Sequence, residues 1–209
     1  MENLNLISQT FFGTKLDKTF KCVLITNIGP IFLGIIKRGV IIQKSKGFYQ
    51  TFYIKIGKNF LRVIKATPGN VILDILKAIH SQVEKIFFIG LVGSLNKRDW
   101  IGKIVIPREA VNFTDLSHSI IFWDPDRHSL GKICQVNGLI QEKNFYVNLF
   151  HHKVEFVDME SCYLAAFGKE NNKKVKFIGI VSDKPLSEPF YKVSGKVKVD
   201  YNKLLSLIR

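Results

Sequence analysis

Val154 to Pro185 reads VEFVDMESCYLAAFGKENNKKVKFIGIVSDKP, and its two halves carry different periods. In the first half, Met159, Tyr163, Ala166 and Phe167 recur at helical spacing. That spacing predicts a helix over Asp158 to Glu170 with one apolar face, capped by Asp158. In the second half, Val175 to Val181 has no polar break after Lys176, the pattern of a strand covered on both faces in a parallel sheet. The strand ends in Ser182-Asp183-Lys184-Pro185, and open α/β sheets carry their functional groups just beyond the carboxyl ends of strands. Glu160 at a helix start and Asp183 at a strand end are therefore the first candidate residues.

Working outward, Lys85 to Ile89 is a second buried-type strand, predicted to run into a loop, Gly90-Leu91-Val92-Gly93-Ser94. Gly90 and Gly93 there would let backbone N–H groups approach a sugar or an anion. Cys22 to Ile28 reads as a strand closed by Asn27-Ile28-Gly29-Pro30. Three further strands are expected at Ile35 to Ile42, Phe48 to Ile56 and Phe60 to Ala66. The last two form a hairpin about Gly57-Lys58-Asn59. Thr67-Pro68-Gly69-Asn70 opens a helix whose Ile72, Ile75, Leu76, Ile79 and Val83 make one stripe. Ile101 to Ile106 and Gly131 to Ile140 are read as strands, and Asn112 to Ser129 as a polar loop. Leu186 to Arg209 is read as a C-terminal amphipathic helix built on Phe190, Val193, Val197, Tyr201, Leu204 and Ile208. Residues 1–21 are left as an irregular lead-in anchored by Phe11, Phe12 and Phe20.

Composition bounds the function classes. The 209 residues are 46% hydrophobic and 12% aromatic, which places the chain among globular proteins and is ample for one core. No apolar run approaches bilayer length and the start lacks the order of a secretory signal, so a cytoplasmic protein without a membrane partner is expected. Three widely spaced cysteines, Cys22, Cys134 and Cys162, read as reduced core thiols. The formal charge is +14, from 31 Lys+Arg against 17 Asp+Glu. The lysines are scattered and no nucleic-acid-binding motif accompanies them, so solvated faces are preferred over a nucleic-acid surface. Asp115, His118, Asp124, Asp126 and His128 match no ligand spacing, and no metal is expected.

Three blocks together resemble the purine nucleoside phosphorylase and nucleosidase superfamily, and within it the 5′-methylthioadenosine/S-adenosylhomocysteine nucleosidases. They are Val157-Asp158-Met159-Glu160, Phe87 to Leu95 with Ile101 to Ala110, and the strand ending in Ser182-Asp183. The resemblance runs from about Phe60 to Lys184. It implies Met159 and Glu160 as ribose-binding residues and Asp183 as the acid that protonates the leaving purine. It places Leu139 and Ile140 at the base wall, and Phe122 or Trp123 as a cover over the purine. It also implies a homo-oligomer and no cofactor. The sequence departs from the family in two places. No acid follows Ile28 until Asp74, so the family's water-activating residue has no counterpart. The phosphorylases' phosphate-binding Arg and Ser/Thr are replaced around Leu91, which argues for water over phosphate.

The order of elements and the resemblance together imply one domain over 1–209, a three-layer α/β/α sandwich around a mixed, largely parallel sheet. Two functions follow as expectations. One is a purine nucleoside N-ribohydrolase acting on methylthioadenosine or a related adenine nucleoside. The other is a catalytically weakened relative that binds a nucleoside or serves in assembly.

Overall fold

The computed structural model describes residues 6, 9–13, 20–123, 129–138, 141–189, 192 and 197–208. Among the described residues eleven strands form one mixed sheet, in the order β2 (Val40–Lys46), β3 (Gln50–Ile56), β4 (Asn59–Lys65), β1 (Cys22–Thr26), β5 (Lys85–Ser94), β10 (Phe156–Asp158), β9 (Lys132–Gln135), β7 (Glu109–Asn112), β8 (Asp115–Ile121), with β11 (Lys174–Asp183) on β5 and β6 (Ile104–Val105) on β11. The centre is parallel: β1 (Cys22–Thr26) lies between β4 (Asn59–Lys65) and β5 (Lys85–Ser94), and β11 (Lys174–Asp183) runs along β5 from Lys85 to Gly93. β2 (Val40–Lys46), β3 (Gln50–Ile56) and β4 form an antiparallel meander. The β3–β4 turn has Gly57 at φ 61, as its tight geometry requires.

Alternation along the central strands sends residues into two cores. Leu24, Val63, Phe87, Ile89, Ile178 and Ile180 meet α1 (Gly29–Ile36) and α5 (Tyr201–Ser206). Val23, Ile25, Ile64, Phe88, Phe177 and Val181 meet α2 (Ile72–Ile79) and α4 (Ser161–Glu170). That is the expected three-layer α/β/α sandwich. A third cluster packs α3 (Lys143–His151) on β7 (Glu109–Asn112), β9 (Lys132–Gln135) and β10 (Phe156–Asp158). Among the described residues no helix is long and apolar enough to cross a membrane.

Several expectations are corrected. Ile35 and Ile36 belong to helix α1 and not to a strand: Pro30 sits in its first turn, where a missing N–H costs nothing, and β2 begins only at Val40. The segment 90–94 is not a loop, because β5 continues to Ser94. The polar stretch after Asn112 contains an exposed strand, β8 (Asp115–Ile121), paired with β7. Of Ile101 to Ile106 only β6 (Ile104–Val105) is extended, and the expected strand after Gly131 stops at Gln135. Of the lead-in, residues 9–12 are helical, and Phe12 is buried against Tyr49 and the Arg62 guanidinium. The C-terminal helix is confined to Tyr201–Ser206 among the described residues.

Candidate active site

Asp158 does not begin a helix. It ends β10, which pairs parallel with β9 and, through Phe156 and Val157, antiparallel with the end of β5. The chain then turns through Met159 and Glu160 into α4. Glu160, at the helix start, makes no side-chain cap, and the first turn of α4 is capped from a neighbouring strand. Buried Gln135 of β9 presents Oε1 to the N–H groups of Cys162 (2.9 Å) and Tyr163 (3.2 Å). Asp158 Oδ2 accepts the Glu160 N–H at 2.9 Å, so Asp158 acts as a local cap from a strand position.

This turn forms one wall of a cavity of about 310 Å³. Opposite it stand Asn27, Ile28 and Gly29 from the loop between β1 and α1, with Pro68 and Leu91 completing the lining. Leu91 is 41% exposed in the middle of an otherwise buried strand, because its side chain meets the cavity and not a helix. Glu160 is 4% exposed. Its Oε1 accepts the Gly69 N–H at 2.6 Å and the Asn27 amide at 3.3 Å. Gly69 has φ 89, which the Pro68-Gly69 turn needs and other residues adopt only with strain.

Two carboxyls therefore share one buried turn. Burial, with a further push from the Glu160 charge, lifts the Asp158 pKa to about 8, against the opposing hydrogen bonds it accepts. Burial also raises Glu160, opposed by the amides of Gly69, Met159 and Asn27. Among the described residues, the cavity lining holds these two acids and neither Lys nor Arg. Carboxylate and amide oxygens can accept hydrogen bonds from hydroxyl groups, and Ile28, Pro68, Leu91 and Met159 supply apolar surface beside them.

Met159 and Glu160 thus meet on the cavity wall. Asp183 is not in the lining of this cavity; it lies two strands over from β10, at the end of β11, where it pairs with Gly93 after a register shift. Val157 pairs with the same Gly93 from the other side, which puts the two flanking backbones about 10 Å apart, two strand spacings. Ser182 Oγ is 2.7 Å from Asp183 Oδ1 and 3.3 Å from Val92 O. Gly93 forms no anion loop: a Cβ there would come within 2.8 Å of Pro185 and 2.9 Å of Val157, so its bareness lets the two site segments close over β5. Gly90 is likewise inside β5, opposite Gly179, its missing side chain taken up by the Phe88 ring. Leu139 and Ile140 lie outside the described residues. Phe122 is core, packed on Phe177, and Trp123 stands over Lys85 and Lys174 at the first residues of β5 and β11, so neither covers this cavity. Among the described residues no group of His, Cys, Asp and Glu is arranged to hold a metal. Asn27, Gly69 and Gln135 do not stand out as site residues in the sequence; only Gly69, in a Pro-Gly turn, carries a local signal.

No family model matches the chain, and no curated protein matches it in sequence. Solved structures do match in fold, and nucleosidases and a purine nucleoside phosphorylase are among them. The 5′-methylthioadenosine/S-adenosylhomocysteine nucleosidase of S. pneumoniae, with a transition-state inhibitor, superimposes with a TM-score of 0.71 at 14% identity over 90% of this chain and 98% of its own. Futalosine hydrolase of Helicobacter pylori gives 0.69 at 17% identity, covering 83% and 88%. A purine nucleoside phosphorylase from Toxoplasma gondii gives 0.66 at 16% identity, covering 82% and 81%.

Proposed function

We propose that this protein is a purine nucleoside N-ribohydrolase that cleaves methylthioadenosine or a related adenine nucleoside with water. The observation that carries the reading is the buried Glu160 carboxylate, held by Gly69 and Asn27 on the wall of a cavity it shares with Met159. An ionised carboxylate has two oxygens spaced for the cis hydroxyls of ribose. Its charge also favours the oxocarbenium-like transition state. Met159 lies along the sugar as an apolar contact. As the C1′–N9 bond breaks, its electron pair moves into the purine and Asp183 delivers a proton to N7. Water adds to C1′, and the proton it sheds returns through solvent to Asp183. The neutral apolar Leu91 at the cavity offers nothing to phosphate, which supports water as nucleophile. A homo-oligomer belongs to the same proposal, and sedimentation measures it.

A specific observation favours a second reading, a ligand-binding relative without turnover. The loop after β1 faces Glu160 with the amide of Asn27 and contributes no acid to activate water. The two readings separate in one experiment: purine release by chromatography from methylthioadenosine, adenosine, inosine and S-adenosylhomocysteine, with and without phosphate. The hydrolase gives release indifferent to phosphate and reduced by about 10²-fold or more in Asp183→Asn. Folded protein that binds methylthioadenosine in calorimetry, loses that binding in Glu160→Gln and releases no purine is the second.

A further inference from the structure

The charge of +14 is unevenly placed along the chain: from Cys22 to Val71 there are eight Lys or Arg and no Asp or Glu. In the fold this span is β1, α1 and the β2–β3–β4 meander. Among the described residues β2 is a terminal strand of the sheet, four strand spacings or about 19 Å from β5. Alternate residues of such an edge turn their backbone N–H and C=O groups away from the sheet. Edges are commonly blunted by charged side chains or proline, yet β2 opens with three aliphatic residues. Val40, Ile41 and Ile42 are 69%, 50% and 51% exposed.

We propose that β2 takes up an extended acidic peptide of a partner protein as one more strand of the sheet. Main-chain hydrogen bonds along the edge hold the peptide, its apolar side chains lie beside Val40, Ile41 and Ile42, and its acids meet lysines. Lys44 lies on β2 itself and pairs with Phe52, while Lys55 on β3 pairs with Val40. Paired residues share a face, and Phe52 and Lys55 are an odd number apart, so the two lysines stand on opposite faces of the sheet. An acid on either face of the added strand therefore finds one. Each ammonium now rests 5.5 Å from an aromatic ring centre, Lys44 over Phe52 and Lys55 over Phe60, and a carboxylate is the stronger partner. Arg38 takes no part: it donates to Gly34 O at 3.0 Å and stacks on Tyr201 at 4.1 Å. Other occupants fit less well. A second copy would bring another β2 that carries lysines and no acid, setting like charges on one short ladder. A bilayer gives nothing to the backbone groups of an edge. Single-stranded nucleic acid stacks on flat rings, and these side chains are aliphatic. The register shift between Ile41 and Gln43 keeps the open edge short, which deters sheet-on-sheet aggregation but leaves room for one peptide.

The interaction is independent of the nucleosidase reading, and it is tested on the full chain by fluorescence anisotropy of a fluorescein-labelled octapeptide of alternating glutamate and valine. Saturable binding that weakens with salt is expected. The same peptide with N-methyl groups on its two central residues keeps every side chain but loses one N–H donor on each edge. It is expected to bind about tenfold more weakly. In the protein, Lys44→Glu together with Lys55→Glu is expected to weaken binding about tenfold or more, and Lys44→Arg with Lys55→Arg to retain it. Both positions are exposed or at the edge of the sheet, and circular dichroism checks that the variants are folded. A single-stranded oligonucleotide and phosphatidylserine-containing vesicles are run in parallel, and weaker binding of both supports the peptide. Tighter binding of either one, lost in the same Lys→Glu variant, reassigns the edge to that partner and overturns the peptide. No saturable binding of the peptide by folded protein overturns the proposal outright. Equal binding of the N-methylated peptide would reduce the contact to charge alone, and indifference to the Lys→Glu changes would remove the charge; each sinks the assignment.

Discussion

Asp158 binds its proton more tightly in the folded chain than in the unfolded one. Its ordinary pKa is 3.8 and its folded value is about 8, the cause being burial first and the nearby Glu160 second. Unfolding between those two pH values therefore releases a proton, so this group lowers stability progressively as pH rises from about 4 to about 8, and its effect levels off above. The slope one proton can contribute is at most about 1.4 kcal/mol per pH unit. Asp158→Asn keeps an oxygen that accepts the Glu160 N–H but carries no titrating proton. The variant is expected to have a flatter stability–pH profile than the parent across that window, read as urea unfolding at several pH values. Parallel profiles would show that Asp158 is already ionised in the fold. The identity of this residue was legible and its environment was not. An Asp three positions before an apolar helix looks like an N-cap, and only the pairing of Val157 with Gly93 reveals that it closes a strand.

At the scale of elements, α4 owes its start to β9. Two N–H groups of its first turn end on Gln135 Oε1, and Glu160 is the residue immediately before that turn. Gln135→Leu removes the acceptor and is expected to cost about 1–2 kcal/mol in denaturant unfolding. Nucleoside binding should fall with it, because Glu160 is positioned by the helix it precedes. Gln135→Glu retains the acceptor and is expected to recover most of the loss; equal losses in both variants would refute the capping role. Legibility varied by element for physical reasons. β11, β1 and the β3–β4 hairpin carried apolar runs or turn glycines that announced them. α1 did not, since Gly-Pro reads as a turn and the helix is apolar on nearly every side, buried between sheet and α5. β8 was hidden because its residues are mostly exposed and polar, held by pairing with β7 instead of by burial. β10 has only three residues, too short for any period to register.

In the whole molecule, β5 is the strand on which the two halves of the proposed site meet. β10 reaches its end from one side and β11 follows it on the other, so the distance from Glu160 to Asp183 is set by what lies over Gly93. The blocks around Met159-Glu160 and Ser182-Asp183 were visible in the sequence, but nothing local to either stated that Gly93, far upstream of both, joins them. Gly93→Ala would place a methyl within 2.8 Å of the Pro185 ring and 2.9 Å of Val157. Overpacking of that kind costs about 1–3 kcal/mol. The expected outcome is a destabilised protein whose purine release falls by more than the loss of folded molecules explains, because the two wings of the site are forced apart. Pro185→Ala removes the ring atoms that the new methyl meets first, so the double variant should be more stable than the sum of the single changes requires, a coupling measurable as a double-mutant cycle in denaturant unfolding. Additive losses would mean that Pro185 and residue 93 do not press on each other. The closure of the site over β5 would then have to come from β10 alone.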